Sequence, residues 1–162
     1  MAAKSKVYLE TTIVSYLTAW PSSDLIRGAH QQLTKEWWKR RDQFELYVSE
    51  AVLKEAADGD PTAAAERLAA LQGIAVLDVD PVVGDLAQQL LTAHALPAKV
   101  AVDAVHIATA AVNGMKYLLT WNCRHIANAV TRGSIEESCR RAGWVPPVIC
   151  TPEELNNEPE DE

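Results

Sequence analysis

The stretch that decides the fold runs Val100-Ala-Val-Asp103-Ala-Val-His106-Ile-Ala-Thr-Ala-Ala111-Val-Asn-Gly114-Met-Lys-Tyr117-Leu-Leu-Thr120-Trp-Asn122. Its first half is apolar nearly all round at helical length, the pattern of a buried helix. Gly114 is placed to end that helix at the C′ position. Tyr117 to Thr120 then reads as a short buried strand. Asp103 is the anomaly, because a carboxylate among Ala, Val and Ile is too costly to bury without a partner. A cation, a set of backbone N–H groups or a bound proton must compensate it. The strand ends in Thr120-Trp121-Asn122 and so carries polar groups to its carboxyl end.

Working outward, Val7-Tyr8-Leu9 is a first strand, followed by Glu10. Thr11 or Thr12 is a natural N-cap for a helix through Ile13, Val14, Tyr16 and Leu17, which Pro21 stops. Ser22-Ser23-Asp24 caps a helix from Leu25 to Arg41, with Leu25, Ile26, Ala29, Leu33 and Trp37 on one face. Phe44 to Val48 is a second strand. Ser49 caps a helix carrying Glu50, Val52, Leu53 and Glu55, which ends near Asp58-Gly59-Asp60-Pro61. Thr62 to Leu71 is helical, Ile74 to Leu77 is a third strand and Val82 to His94 a helix. Leu96-Pro97 breaks the chain before the Asp103 helix. A helix near Ile135 to Arg141, a strand near Val148 to Cys150 and a capped turn at Thr151-Pro152-Glu153-Glu154-Leu155 complete the order. Strands alternating with helices predict an α/β fold, a mostly parallel sheet of four to five strands with helices on both faces. Ligands of such sheets gather outside the carboxyl ends of the strands. Glu10, Glu50, Glu55 and Asn122 all follow strands, and Asp103 opens the helix that leads into the fourth.

Composition narrows the class. The 162 residues are 48% hydrophobic and 23% charged, with net charge −7, which suggests one domain over 1–155 and an acidic, frayed tail over 156–162. The acidic balance disfavours a protein that simply coats nucleic acid but leaves room for a nuclease with a local acid cluster. No apolar run reaches the ~20 residues of a membrane span. The opening residues before Glu10 are too poor in apolar side chains for a signal peptide. Cys123, Cys139 and Cys150 have no Cys-x-x-Cys spacing, so they read as small buried apolar residues in a reducing cytoplasm. No phosphate-binding Gly-rich loop and no Gly-x-Ser-x-Gly elbow is present.

Converging acids need a cation. Two carboxylates ~4 Å apart repel by about 4 kcal/mol at an effective dielectric near 20. A hard divalent ion, Mg²⁺ or Mn²⁺, relieves this and suits phosphodiester chemistry. A receiver domain is the competing acidic-site fold. It would use an Asp such as Asp78 after the third strand, but no suitable Lys follows Thr120.

Four segments in order carry a resemblance to a family. They are Val-Tyr-Leu-Glu-Thr-Thr-Ile-Val-Ser-Tyr-Leu from Val7, Val-Ser-Glu-Ala-Val-Leu-Lys-Glu from Val48, Val-Asp-Ala-Val-His-Ile-Ala-Thr-Ala from Val102, and Leu-Leu-Thr-Trp-Asn-Cys-Arg-His-Ile-Ala-Asn from Leu118. Ending in Thr-Pro-Glu-Glu-Leu, the chain resembles the PIN-domain ribonucleases over nearly its whole length, most closely the VapC toxins. The resemblance implies a three-layer α/β/α PIN-like fold and a Mg²⁺- or Mn²⁺-dependent endoribonuclease that cuts RNA. It also implies a homodimer held by a cognate antitoxin.

Carried over by position, Glu10 stands for the family's first Asp, Glu55 for the helical Glu and Asp103 for the third acid. These three are the expected metal ligands. Asn122 stands where members carry Asp or Asn and completes the expected catalytic set. Thr11 and Thr120 match supporting hydroxyls. Glu50 competes with Glu55 but, five positions earlier, does not share its helix face.

Glu10 is a departure. Its extra methylene displaces the carboxylate by ~1.5 Å, and a shift of about 1 Å can cost ~10²-fold in rate. The alternative is therefore a catalytically weak or silent module that binds RNA or protein. His106, one turn after Asp103, reads as a packed core histidine rather than a general base, and His125 as a rim residue. Trp37-Trp38-Lys39-Arg40-Arg41 reads either as a helix end burying one Trp or as a surface for RNA or protein. Trp20 and Tyr16 read as core or dimer surface.

Overall fold

In the computed structural model, residues 3–93 and 100–155 are described. Five strands form one parallel sheet: β1 (Ser5–Leu9), β2 (Phe44–Ser49), β3 (Ala75–Leu77), β4 (Tyr117–Leu119) and β5 (Val148–Cys150), in the order β3-β2-β1-β4-β5. Val7, Tyr8 and Leu9 at its centre are all buried, as expected where helices cover both faces of a parallel sheet. The edge strand β3 is half exposed and the last strand less so. The helices are α1 (Thr11–Thr18), α2 (Leu25–Lys39), α3 (Glu50–Ala56), α4 (Pro61–Leu71), α5 (Pro81–Thr92), α6 (Ala101–Val112) and α7 (Ala129–Arg141). Together they make a three-layer α/β/α fold. Among the described residues no helix is long and apolar enough to cross a membrane. The expected break at Leu96-Pro97 and the expected tail over 156–162 lie outside the described residues.

The order positions the site. The chain steps from β1 outward to β2 and β3, then returns to the other side of β1 as β4 and continues to β5. The reversal falls between β1 and β4, where a parallel sheet opens a crevice at its carboxyl ends. Leu9 pairs with Leu119, and the Glu10 N–H donates to the Leu119 carbonyl at 3.0 Å. Glu10 and Thr120 therefore leave the sheet side by side.

The stretch around Asp103 folds as helix then strand. From Ala104 on, α6 is buried through Ala104 and His106 to Ala111. Its end is a Schellman motif: Met115 N–H donates to the Ala110 carbonyl at 3.0 Å and Gly114 N–H to Ala111 at 3.2 Å. Gly114 has φ 69°, the left-handed conformation this motif needs.

Four sequence expectations are corrected. The first cap belongs to Glu10, not to Thr11 or Thr12. Glu10 is extended and its carboxylate accepts from Thr12 N–H at 3.1 Å, while both threonine hydroxyls are used elsewhere. The buried face of α2 is also different. Leu25 and Ile26 are 89% and 71% exposed, and the inward residues are Gln31, Thr34 and Trp37.

The reason is polar demand from the interior. Thr34 Oγ1 accepts from the Trp121 indole N–H at 2.7 Å. Gln31 accepts from Ser22 N–H and donates to the Trp20 carbonyl, both at 2.9 Å. Apolar periodicity does not see such partners. Trp20 is 89% exposed, so the core reading of that residue fails. Fourth, Cys123 is exposed while Cys139 and Cys150 are buried. At the end of α2, Trp37 is buried and stacks on Phe44, and the Arg41 guanidinium lies over the Trp38 ring.

Candidate metal centre

Glu10 sits at the end of β1 and is only 4% exposed. Three donors hold its carboxylate. Oε1 accepts from the Thr12 hydroxyl at 2.5 Å and the Thr120 hydroxyl at 2.6 Å, and Oε2 accepts from Thr12 N–H. The longer side chain thus curls back onto the start of α1. Both hydroxyls are fixed in turn, since Trp121 N–H donates to Thr12 and Asn122 N–H to Thr120. Trp121 is itself clamped, with its ring stacked on His30 at 4.0 Å between centroids. The turn that carries Thr120 and Asn122 is therefore pinned from both sides.

Glu55 arrives from α3. That helix is aimed by Ser49 at the end of β2, whose hydroxyl accepts from Val52 N–H as its N-cap. Glu55 Oε1 accepts from the Thr11 hydroxyl at 2.7 Å and lies 2.5 Å from His106 Nε2. Burial presses the Glu55 carboxyl upward. The His106 hydrogen bond and charge, with the Thr11 hydroxyl, outweigh it and hold the group below its ordinary range.

Glu10, Glu55 and His106 each offer one ligand atom, and those atoms all lie within 4.8 Å of one another. Among the described residues no ion pair joins Glu10, Glu55 or Asp103 to a lysine or arginine. Two close carboxylates without a lysine or arginine partner, one of them still partly exposed, make a donor set that fits a hard divalent cation.

Asp103 stands outside that triad of atoms but acts on it. It is half-buried in the first turn of α6. Burial raises its pKa, and the charge on Glu55 raises it further. His106, His125 and a hydrogen bond from the Asn122 side chain oppose the rise. Asp103 is thus less buried than its apolar neighbours suggest, and it lies in the first turn of a helix whose N-terminus no side chain caps. Asn122 also accepts from His125 N–H at 3.0 Å, which turns its amide towards Asp103. Glu50 is exposed and takes a long contact, 3.5 Å, from Val79 N–H; it is not part of the cluster. His106 is fully buried, yet it reaches the acids. Sequence spacing puts it one turn along from Asp103, and that spacing is the available signal.

No protein-family model matches the chain, and no curated protein matches it. Among solved structures, the chain is similar to one from the crystal structure of VapBC2 from Rickettsia felis bound to a DNA fragment from their promoter. The match has a TM-score of 0.58 at 13% identity and covers 90% of this chain and 98% of that one. At that identity the likeness establishes the PIN-like fold.

Proposed function

We propose that the protein is a divalent-metal-dependent endoribonuclease and the toxin half of a toxin–antitoxin pair. The observation that carries this reading is the meeting of Glu10, Glu55 and His106 at the switch point of a PIN-like sheet. Glu10, Glu55 and Asp103 hold the cation, Mg²⁺ or Mn²⁺, and Asn122 completes the catalytic set by orienting Asp103. A bound ion would supply the charge that lowers the pKa of a water and neutralises a phosphate oxygen during in-line displacement. The chain's own contribution is placement. Thr12 and Thr120 fix Glu10, Thr11 fixes Glu55, and the clamped Trp121 keeps their turn rigid. RNA is the substrate, and a cognate antitoxin and a second copy of the chain are the partners, in the cytoplasm. The solved neighbour being a VapBC assembly supports the antitoxin assignment.

Cleavage of mixed RNA in Mn²⁺, lost with chelator and lost in Asp103→Asn, is the expected result. Cleavage indifferent to that substitution rejects the site. One observation favours a second reading, a weak or silent binding module. Three donors already satisfy much of the Glu10 carboxylate. Intact RNA binding without cleavage, with activity appearing in Glu10→Asp, would establish that reading.

A further inference from the structure

The geometry points to a role for His106 that its place among possible ligands conceals: it is a positioning residue that donates Nε2–H to Glu55, set by Tyr8 beneath it, and it does not bind the metal. The consequence for metal affinity rests on the function proposed above; the hydrogen-bond direction does not.

His106 is fully buried. Its Nδ1 lies 2.6 Å from the Tyr8 hydroxyl, which lies 2.7 Å from Ser49 Oγ, and its Nε2 lies 2.5 Å from Glu55 Oε1. For a neutral ring only one set of directions satisfies every group. Ser49 Oγ accepts from Val52 N–H and gives its own proton to Tyr8. Tyr8 then gives its single proton to Nδ1, and burial keeps that phenol protonated by raising its pKa. With Nδ1 accepting, Nε2 carries the ring proton and meets a carboxylate oxygen that can only accept. The opposite tautomer sets two lone pairs against each other at 2.5 Å. An imidazolium would reverse the Tyr8 contact, with Nδ1–H donating to the phenol oxygen, but it also keeps the proton on Nε2, so the donation to Glu55 is the same for either charge of the ring.

Ligand geometry agrees. Two neighbouring ligands of an octahedral ion at 2.0–2.1 Å are ~3 Å apart, wider than the Nε2 to Oε1 spacing. With His106 withdrawn from the coordination shell, the ligands are all oxygen, the set that suits Mg²⁺ or Mn²⁺ rather than zinc. Groups that orient ligands in this way typically change metal affinity by ~10–100-fold when removed.

The test uses the full chain. Nitrogen-15 long-range correlation spectra of the metal-free protein should show His106 protonated at Nε2; a proton on Nδ1 alone overturns the proposal. Pulsed electron-spin-echo spectra of the Mn²⁺ complex should show no directly coordinated imidazole nitrogen, and a direct coupling overturns it. Mn²⁺ affinity should fall ~10–100-fold in His106→Leu and stay within ~3-fold of wild type in His106→Gln, whose amide can donate from the Nε2 position. Equal affinities in wild type and His106→Leu overturn the positioning role while leaving the metal site standing. If wild type binds no Mn²⁺, the metal reading fails instead, and the nitrogen spectra of wild type and Tyr8→Phe decide the hydrogen-bond chain.

Discussion

The β1 side of the rim, around Glu10, and the α6 side, around Asp103, treat a carboxylate in opposite ways. Glu10 is sealed from solvent and gripped by two hydroxyls and an N–H. Asp103 is half open, takes one side-chain hydrogen bond from Asn122 and has its pKa pushed up by burial and by Glu55. Fixed dipoles make the first charge tolerable without an ion. The second is left under-compensated, which is the condition in which a cation gains most by binding.

The sharpest way to break this contrast is to neutralise the two proposed ligands that remain open to solvent. Glu55→Gln and Asp103→Asn should each lower RNA cleavage in Mn²⁺ by about 10²–10³-fold, equivalent to the several kcal/mol a metal-borne charge supplies. Steady-state cleavage rates check this. Next comes the Glu10 cradle. Thr120→Val removes a donor from a buried carboxylate and should cost about 1.5–3 kcal/mol of stability, read by urea unfolding. Loss well below this would mean that Glu10 leans little on its cradle.

Acidification should separate the two acids. The raised pKa of Asp103 means that it takes up a proton above the ordinary carboxylate range, so Mn²⁺ affinity should start to fall there. Glu55 is held low, so its stabilising contribution is present above its unfolded pKa and is lost only as pH falls through the lower folded value. Calorimetric Mn²⁺ titrations and melting curves across pH should thus show affinity failing before stability. The smallest effect is the converse one. Ionised Asp103 costs the metal-free fold something at neutral pH, so Asp103→Asn should raise the melting midpoint by about 1–3 °C, modest because solvent screens a half-exposed group.

The chain made the alternation of strands and helices legible, as it did the Ser49 cap and the stop at Gly114, because each rests on a local rule. The inward face of α2 was not legible. Leu25 and Ile26 look like core in one dimension, and only the fold reveals that Trp121 and the Trp20–Ser22 segment need Thr34 and Gln31 inside. At the site, the positions of Glu10 and Glu55 after β1 and β2 could be read from their strands. The cap formed by Glu10 could not, since a glutamate reaching back on its own helix depends on where Thr120 arrives from a distant strand. Spacing puts His106 on the right face but reads it as packing, because nothing in spacing shows that Tyr8 and Glu55 meet it on opposite sides.

Cys123 adjoins Asn122 and is the exposed one of the chain's three cysteines, the other two being buried. Burial and Glu154 raise its pKa, so coupling to a maleimide dye proceeds best in mildly alkaline buffer. A single fluorophore would then stand one residue from the rim, giving a direct optical reporter of whatever polymer or protein comes to rest there.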